Sequence, residues 1–264
     1  MMIKLIAIDL DGSLLDDNKN LPKDFWEAAD KLFQKKINIV IASGRPFHNI
    51  SSVFDPIKDK IYFACDNGSY VVHANEELLV NQLDPASIKG FVEISRPIEN
   101  VYPVLCSKHV AYIENTEEVF TSQALKYYQE YKVVEDLTKV DDIILKISLC
   151  DLAGSETNSY PFYKQFENDF KVAVAGAIWL DITNIDGSKG TAIKTIQERL
   201  KVSSEETLVF GDYLNDMDMI QNAGYSYAMK NAHPEILKAA KYITELDNNN
   251  GGVTHTIKQL IDLS

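Results

Sequence analysis

Residues 3–12 read Ile3-Lys4-Leu5-Ile6-Ala7-Ile8-Asp9-Leu10-Asp11-Gly12, a run apolar at nearly every position that stops at a carboxylate, a leucine and a second carboxylate. A strand with one wet face alternates apolar and polar residues, whereas a strand covered on both faces, as in a parallel α/β sheet, does not. Two similar runs follow. Ile37-Asn38-Ile39-Val40-Ile41-Ala42 is closed by Ser43-Gly44-Arg45-Pro46, and Ile61-Tyr62-Phe63-Ala64-Cys65 by Asp66-Asn67-Gly68. Between the first two, residues 22–36 carry Phe25, Ala28, Ala29, Leu32 and Phe33 at helical spacing. Strand, helix, strand in that order predicts an α/β fold with a Rossmann-like, doubly wound parallel sheet. A hairpin of residues 69–73 and 78–83 is expected after the third strand.

The rhythm then changes. From 84 to 186, helical stretches at 86–94, 121–130 and 161–169 alternate with short β-rich runs at 101–105, 110–114, 143–149, 172–175 and 179–183. After Gly187 the first rhythm resumes, with strands expected at 207–210, 225–229 and 242–244 and helices at 191–200, 217–223, 234–240 and 252–263. The expected division is a core of residues 1–83 and 187–264 interrupted by an inserted α+β module, residues 84–186. The chain would cross between them near Gln82-Leu83-Asp84-Pro85 and Asn184-Ile185-Asp186-Gly187.

Composition narrows the function classes. The 264 residues hold 26 basic and 39 acidic side chains, a formal charge of −13, which argues against nucleic-acid and anionic-membrane surfaces. Hydrophobic residues make up 45%, enough for buried cores, yet no stretch approaches the roughly 18 apolar residues of a membrane span. The opening apolar run is short and broken by Lys4 and Asp9, so it reads as a strand and not as a secretory signal. Cys65, Cys106 and Cys150 are widely spaced and form no Cys-x-x-Cys pair, which points to reduced thiols in a cytoplasmic protein.

In parallel α/β sheets ligands bind beyond the carboxyl ends of the strands, so the polar residues there carry the chemistry. Asp9 and Asp11, two apart in extended chain, face the same way, and their repulsion demands a cation or a shared proton. Ser43, with the backbone amides of Gly44 and Arg45, can hold an anionic oxygen or can cap a helix. Gly211-Asp212-Tyr213-Leu214-Asn215-Asp216 adds two carboxylates and an amide, oxygen donors suited to Mg²⁺, although Asp216 can also serve as an N-cap. Lys189, flanked by Ser188 and Gly190 before a helix, is either a solvated lysine or the charge that balances the carboxylates.

Together, Asp9-Leu10-Asp11-Gly12-Ser13-Leu14-Leu15, Ala42-Ser43-Gly44-Arg45-Pro46, Ser188-Lys189-Gly190 and Gly211-Asp212-Tyr213-Leu214-Asn215-Asp216 resemble the four motifs of the haloacid dehalogenase superfamily. The chain is most similar to its Cof-type, sugar-phosphatase-like branch, with a large α/β cap between the second and third motifs. Met229-Lys230-Asn231-Ala232 and the later Ala239-Ala240-Lys241-Tyr242-Ile243-Thr244 resemble that branch's C-terminal signature. The resemblance implies Mg²⁺-dependent hydrolysis of small phosphate monoesters, such as sugar phosphates, through an aspartyl-phosphate. It implies Asp9 as nucleophile, Asp11 as general acid and base, and Ser43 and Lys189 as ligands of the phosphoryl oxygens. Asp212 would bind the metal with Asp9 and the Asp11 carbonyl, Asp216 would support it, and Asn215 would lie between metal and phosphate. Gly44 belongs to the same loop, and Arg45 would orient it or reach the substrate. Ser13 stands where the family more often has Thr and keeps the hydroxyl.

Three rivals remain. A phosphomutase of the same superfamily would need cap cations for a second phosphate, and residues 84–186 contain one arginine, Arg96. A catalytically idle phospho-ligand module would be expected to have lost Asp9, Asp11 or Lys189, and all three are present. A bacterial receiver domain is shorter and has no inserted module. Within the insertion, His109, Tyr112, Trp179 and Asp181 either contact a sugar or pack, with packing favoured for Trp179.

Overall fold

The computed structural model describes residues 3–128 and 131–261. The last two residues of the helix expected over 121–130, and the last two of that expected over 252–263, lie outside the described residues. Before residue 84 come β1 (Leu5–Asp9), β2 (Asn38–Ala42), β3 (Tyr62–Cys65), β4 (Tyr70–His73) and β5 (Glu76–Val80). Between 84 and 186 lie β6 (Val101–Ser107), β7 (Ala111–Ile113), β8 (Tyr131–Val133), β9 (Ile144–Asp151), β10 (Phe170–Gly176) and β11 (Trp179–Asn184). After them come β12 (Thr207–Gly211), β13 (Tyr225–Ala228) and β14 (Tyr242–Ile243).

The first sheet has the order β14-β13-β12-β1-β2-β3-β4-β5, parallel from β14 to β3 and antiparallel through the final hairpin. Every residue of β1, β3 and β12 is buried, as a sheet covered on both faces requires. The helix Phe25–Gln34 buries Phe25, Ala28, Ala29 and Leu32, the stripe its spacing predicts, and packs beside the helix Gly252–Leu260. The helix Lys189–Leu200 packs beside Met217–Asn222. From β1 the chain builds outward to β2 and β3, and from β12 in the opposite direction to β13 and β14. Strand order therefore reverses between β1 and β12, and the crevice beyond their carboxyl ends is the expected ligand site.

The second sheet, β10-β11-β9-β6-β7-β8, is antiparallel except for β7 and β8. Alternation sorts its two faces: Leu105, Ile147 and Leu180 enter one apolar cluster, Val104, Cys106 and Trp179 the other. The two segments joining the sheets run side by side. Asn81 Nδ2 donates to the Asp186 carbonyl at 3.1 Å, and Asn184 Nδ2 to the Gln82 carbonyl at 3.3 Å.

Some elements differ from expectation. Strand β5 starts at Glu76 because Ala74 and Asn75, both at positive φ, make a two-residue turn that Ala-Asn does not announce. The helix expected over 121–130 is Glu118–Ala124, placed by the buried pair Phe120 and Ala124. Residues 161–169 form only one α turn, Tyr160–Tyr163, followed by the 3₁₀ turn Lys164–Phe166. Strand β8, exposed throughout, has no apolar alternation to signal it. The three cysteines are free and buried, and among the described residues no helix is long and apolar enough to cross a membrane.

Candidate active site

Asp9 ends β1 and is buried. Lys189 opens the helix Lys189–Leu200, where the Ser188 hydroxyl caps the first turn by accepting from the Thr191 amide at 3.1 Å. That cap aims Lys189 inward, where it is fully buried. Its Nζ lies 2.5 Å from Asp9 Oδ1 and 2.6 Å from Asp216 Oδ1. Asp216 makes no side-chain cap to the helix it precedes. Its Oδ2 instead accepts from the amides of Asp212 and Tyr213 at 2.9 and 3.1 Å, which pins the loop after β12. Gly12 lets that loop come close: its φ is +79°, and a Cβ there would stand 2.3 Å from Asp212 Oδ2.

Asp9, Asp212 and Asp216 thus present carboxylate oxygens within 4.8 Å of one another. Burial, then the charge of Asp216, lifts Asp9 to about 7 despite Lys189. Burial, then Asp9 and Asp216, lifts Asp212 to about 9. Burial also opposes the charge on Lys189, but Asp216 and Asp9 outweigh it and raise its pKa. One ammonium does not balance three carboxylates, and among the described residues Asp9 Oδ2 is buried without a hydrogen-bond partner. A hard divalent cation with oxygen ligands would meet both deficits, and the residues present fit Mg²⁺.

The Asp11 side chain engages a different pair of cations. Arg45 grips it with Nε to Oδ2 at 2.7 Å and Nη2 to Oδ1 at 2.5 Å, and Lys19 Nζ reaches Oδ1 at 2.7 Å. Burial pushes this carboxyl up, but Arg45 and Lys19 prevail and hold it below the usual range. Ser43 does not cap a helix, since the next one, Phe47–Ser51, has Pro46 at its N-cap. The Ser43 hydroxyl accepts from the Arg45 amide at 3.1 Å. Asn215 Nδ2 donates to Asn67 Oδ1 at 3.0 Å.

A cavity of about 330 Å³ joins these groups. Asp9, Asp11, Ser43, Gly44, Arg45, Asp212 and Asn215 line one side, with Lys189 and Asp216 buried beneath. Tyr127, Lys146, Trp179 and Asp181 line the other. Trp179 both packs against Tyr127 and Tyr128 and borders the cavity. His109 and Tyr112 do not line it; Tyr112 instead donates to Asp142 Oδ2 at 2.8 Å. Sequence reasoning missed Lys19, Asn67 and Lys146. Asn67 follows β3 at the same sheet edge as Ser43, and Lys146 is a charge inside an apolar strand, so both left a signal.

Asp66 is an isolated case. It is fully buried, neither carboxyl oxygen has a hydrogen-bond partner among the described residues, and Lys146 Nζ stands 3.9 Å away. Burial pushes it up to about 7. A carboxyl with a folded pKa above its unfolded value, near 3.9, favours the fold while protonated and loses that contribution as pH rises from about 4 through 7. Asp66→Asn carries no such penalty and keeps a residue tolerant of this position's positive φ. Urea unfolding at pH 5 and pH 8 should show the variant gaining on the parent as pH rises. A pH-independent difference would mean that Asp66 is ionised in the fold at both pH values.

A family model of haloacid dehalogenase-like hydrolases matches residues 6–257. The 5-amino-6-(5-phospho-D-ribitylamino)uracil phosphatase YbjI of Escherichia coli (strain K12) is 29% identical over 268 residues, covering 99% of this chain and 97% of that protein. The phosphatase YwpJ of Bacillus subtilis (strain 168) is 25% identical over 288 residues, covering 98% of this chain and 100% of that protein. A solved structure from Eubacterium rectale superposes with a TM-score of 0.86 at 30% identity, covering 99% of this chain and 100% of that one. The subclass IIB sugar phosphatase BT4131 has the same fold, with a TM-score of 0.84 at 20% identity over 99% of this chain and 100% of that one.

Proposed function

The chain belongs to the haloacid dehalogenase-like hydrolases, and from that premise we propose that it is a Mg²⁺-dependent phosphatase of small phosphate monoesters that works through an aspartyl-phosphate on Asp9. The observation that carries the reading is the Lys189-bridged cluster of Asp9, Asp212 and Asp216 at the point where strand order reverses. Three free, buried thiols fit a reducing cytoplasm.

Mg²⁺, held by Asp9, Asp212 and the Asp11 carbonyl with support from Asp216, would offset repulsion between the carboxylates and a phosphoryl dianion. The chain supplies the rest. An Asp9 oxygen attacks phosphorus, the ester P–O bond breaks, and Asp11 gives its proton to the departing alkoxide. Water then attacks the acyl phosphate, Asp11 takes the water's proton, and inorganic phosphate leaves with Asp9 restored. Lys189, the Ser43 hydroxyl and the Asn215 amide hold phosphoryl oxygens, and the Gly44 and Arg45 segment shapes their pocket. An arriving dianion competes for Arg45 and Lys19, which frees Asp11 to carry the proton.

We further assign residues 84–186 as a cap that selects the leaving group and keeps water away until the second step. Its cations argue for a leaving group without a second phosphate. Arg96 is taken up by Glu114 and Asp136 and does not line the cavity, and Lys146 is paired with Asp181. That favours hydrolysis over a phosphomutase, and a sugar or polyol phosphate as substrate. The phosphoribityl ester for which the YbjI relative is named has that chemistry. The test is a panel of such esters assayed with Mg²⁺ and with excess EDTA. Hydrolysis should fall to background in EDTA, and Ca²⁺, with longer bonds and more ligands, should restore it poorly. Equal rates with and without EDTA would sink the proposal.

A further inference from the structure

On the side of the cavity away from Asp9, buried polar contacts run from the second sheet into the loops after β2, β3 and β12. Lys146 on β9 donates to the Gly44 carbonyl at 2.7 Å and to Asp181 Oδ2 at 3.1 Å. Asp181, on β11, also accepts from Ser148 Oγ at 2.6 Å and from Asn67 Nδ2 at 2.6 Å. Asn67 passes the contact on, since its Oδ1 accepts from Asn215 Nδ2 at 3.0 Å. Lys146, Asp181 and Asn67 are all buried, with 2%, 4% and 5% exposure.

Apolar residues would glue two sheets together better than an ion pair, because desolvating an ammonium and a carboxylate is strongly unfavourable. An ion pair at the seam does something that an apolar contact cannot. Its geometry is complete in one placement of the sheets only, when Gly44 and Asn67 fill the remaining sites. If the sheets part, Lys146 and Asp181 stay together and hydrate, so opening leaves neither of the two unpaired. Lys146 also stands 3.9 Å from the buried Asp66 across the seam, whereas the other ion pairs between the sheets among the described residues, Lys108–Glu77 and Lys171–Asp218, are partly exposed and contribute little.

We propose that Lys146, Asp181 and Asn67 form a latch that couples seating of the second sheet to the placement of Gly44 and Asn215. Asn67 is the positioning residue at its centre. The coupling to catalysis rests on the phosphatase reading; the latch itself does not. Each closure then sets the Asn215 amide and the Ser43-Gly44 loop, so the phosphoryl pocket is complete only under a seated cap.

The test uses the full chain with two ways of cutting the latch. Asn67→Gly removes the amide where φ is 57°, a conformation glycine adopts freely. Lys146→Met with Asp181→Asn removes both charges together and leaves neither unpaired. Small-angle X-ray scattering should give both variants a larger radius of gyration than the parent. With a small phosphate ester and Mg²⁺, kcat should fall about 10²-fold, as misplacement of binding groups by about 1 Å does, with KM little changed. The triple variant should fall no further than Asn67→Gly alone, because the residues act through one device. Unchanged scattering, or losses that add, would overturn the latch. A parent protein without phosphatase activity, beside variants that still expand, would sink the phosphatase reading and leave the latch standing.

Discussion

Asp9→Asn is expected to reduce phosphoester hydrolysis to the uncatalysed background at saturating Mg²⁺ while the protein remains folded. The amide has the shape of the carboxylate but is no nucleophile, so no acyl phosphate can form. Stability should not suffer, because burial, and then the charge of Asp216, lifts Asp9 to about 7. Removing its charge relieves that repulsion, and Lys189 keeps Asp216 as a partner. Asp11→Asn should behave differently. It keeps the backbone carbonyl and the fold but loses proton transfer to the leaving group and from water, about 10² to 10⁴ in rate. Steady-state rates of both variants, with urea midpoints measured alongside, separate the two roles. If Asp9→Asn kept most of its turnover in a folded protein, the covalent route would be wrong.

The residues of this cluster were legible because each follows an apolar run or opens a helix. Asp9 and Asp11 follow one buried strand, Ser43 another and Asp212 a third, and parallel strands bring those ends to one edge. Burial of every residue in β1 is the same fact read from the structure. Asn67 also follows a buried strand, yet its role depends on Asp181, 114 residues away, and no local pattern encodes that contact. Lys146 interrupts an apolar strand, and the strand's alternation sets its face but not what that face meets. The direction of Arg45 was equally hidden, since its loop position is compatible with reaching substrate, loop or Asp11. Tyr112 shows the packing side of an alternative that the sequence leaves open. It alternates with the buried Ala111 and Ile113, so the pleat turns it away from them, and it packs against the apolar cluster on the other face.

Lys189→Met should produce the largest loss of stability. Lys189 is wholly buried, and its ammonium bonds two carboxylates at 2.5 and 2.6 Å. Removing one member of such a pair strands the others in low dielectric, at about 3–5 kcal/mol. Methionine keeps most of the side-chain volume, so the loss reports charge more than a cavity. In EDTA the urea midpoint should therefore drop well below that of the parent. Mg²⁺ should then narrow the gap, because a cation at Asp9, Asp212 and Asp216 supplies part of the missing positive charge. At one hundred times its dissociation constant a bound ion stabilises by about 2.7 kcal/mol, and the variant, with two carboxylates left unpaired, should bind it more tightly than the parent. On the proposed mechanism activity would stay low even in the recovered fold, because the ammonium assigned to the phosphoryl oxygens is gone. Equal midpoints in EDTA would mean that the ion pair contributes nothing to the fold. A gap that Mg²⁺ leaves unchanged would mean that the cation binds elsewhere than beside Lys189.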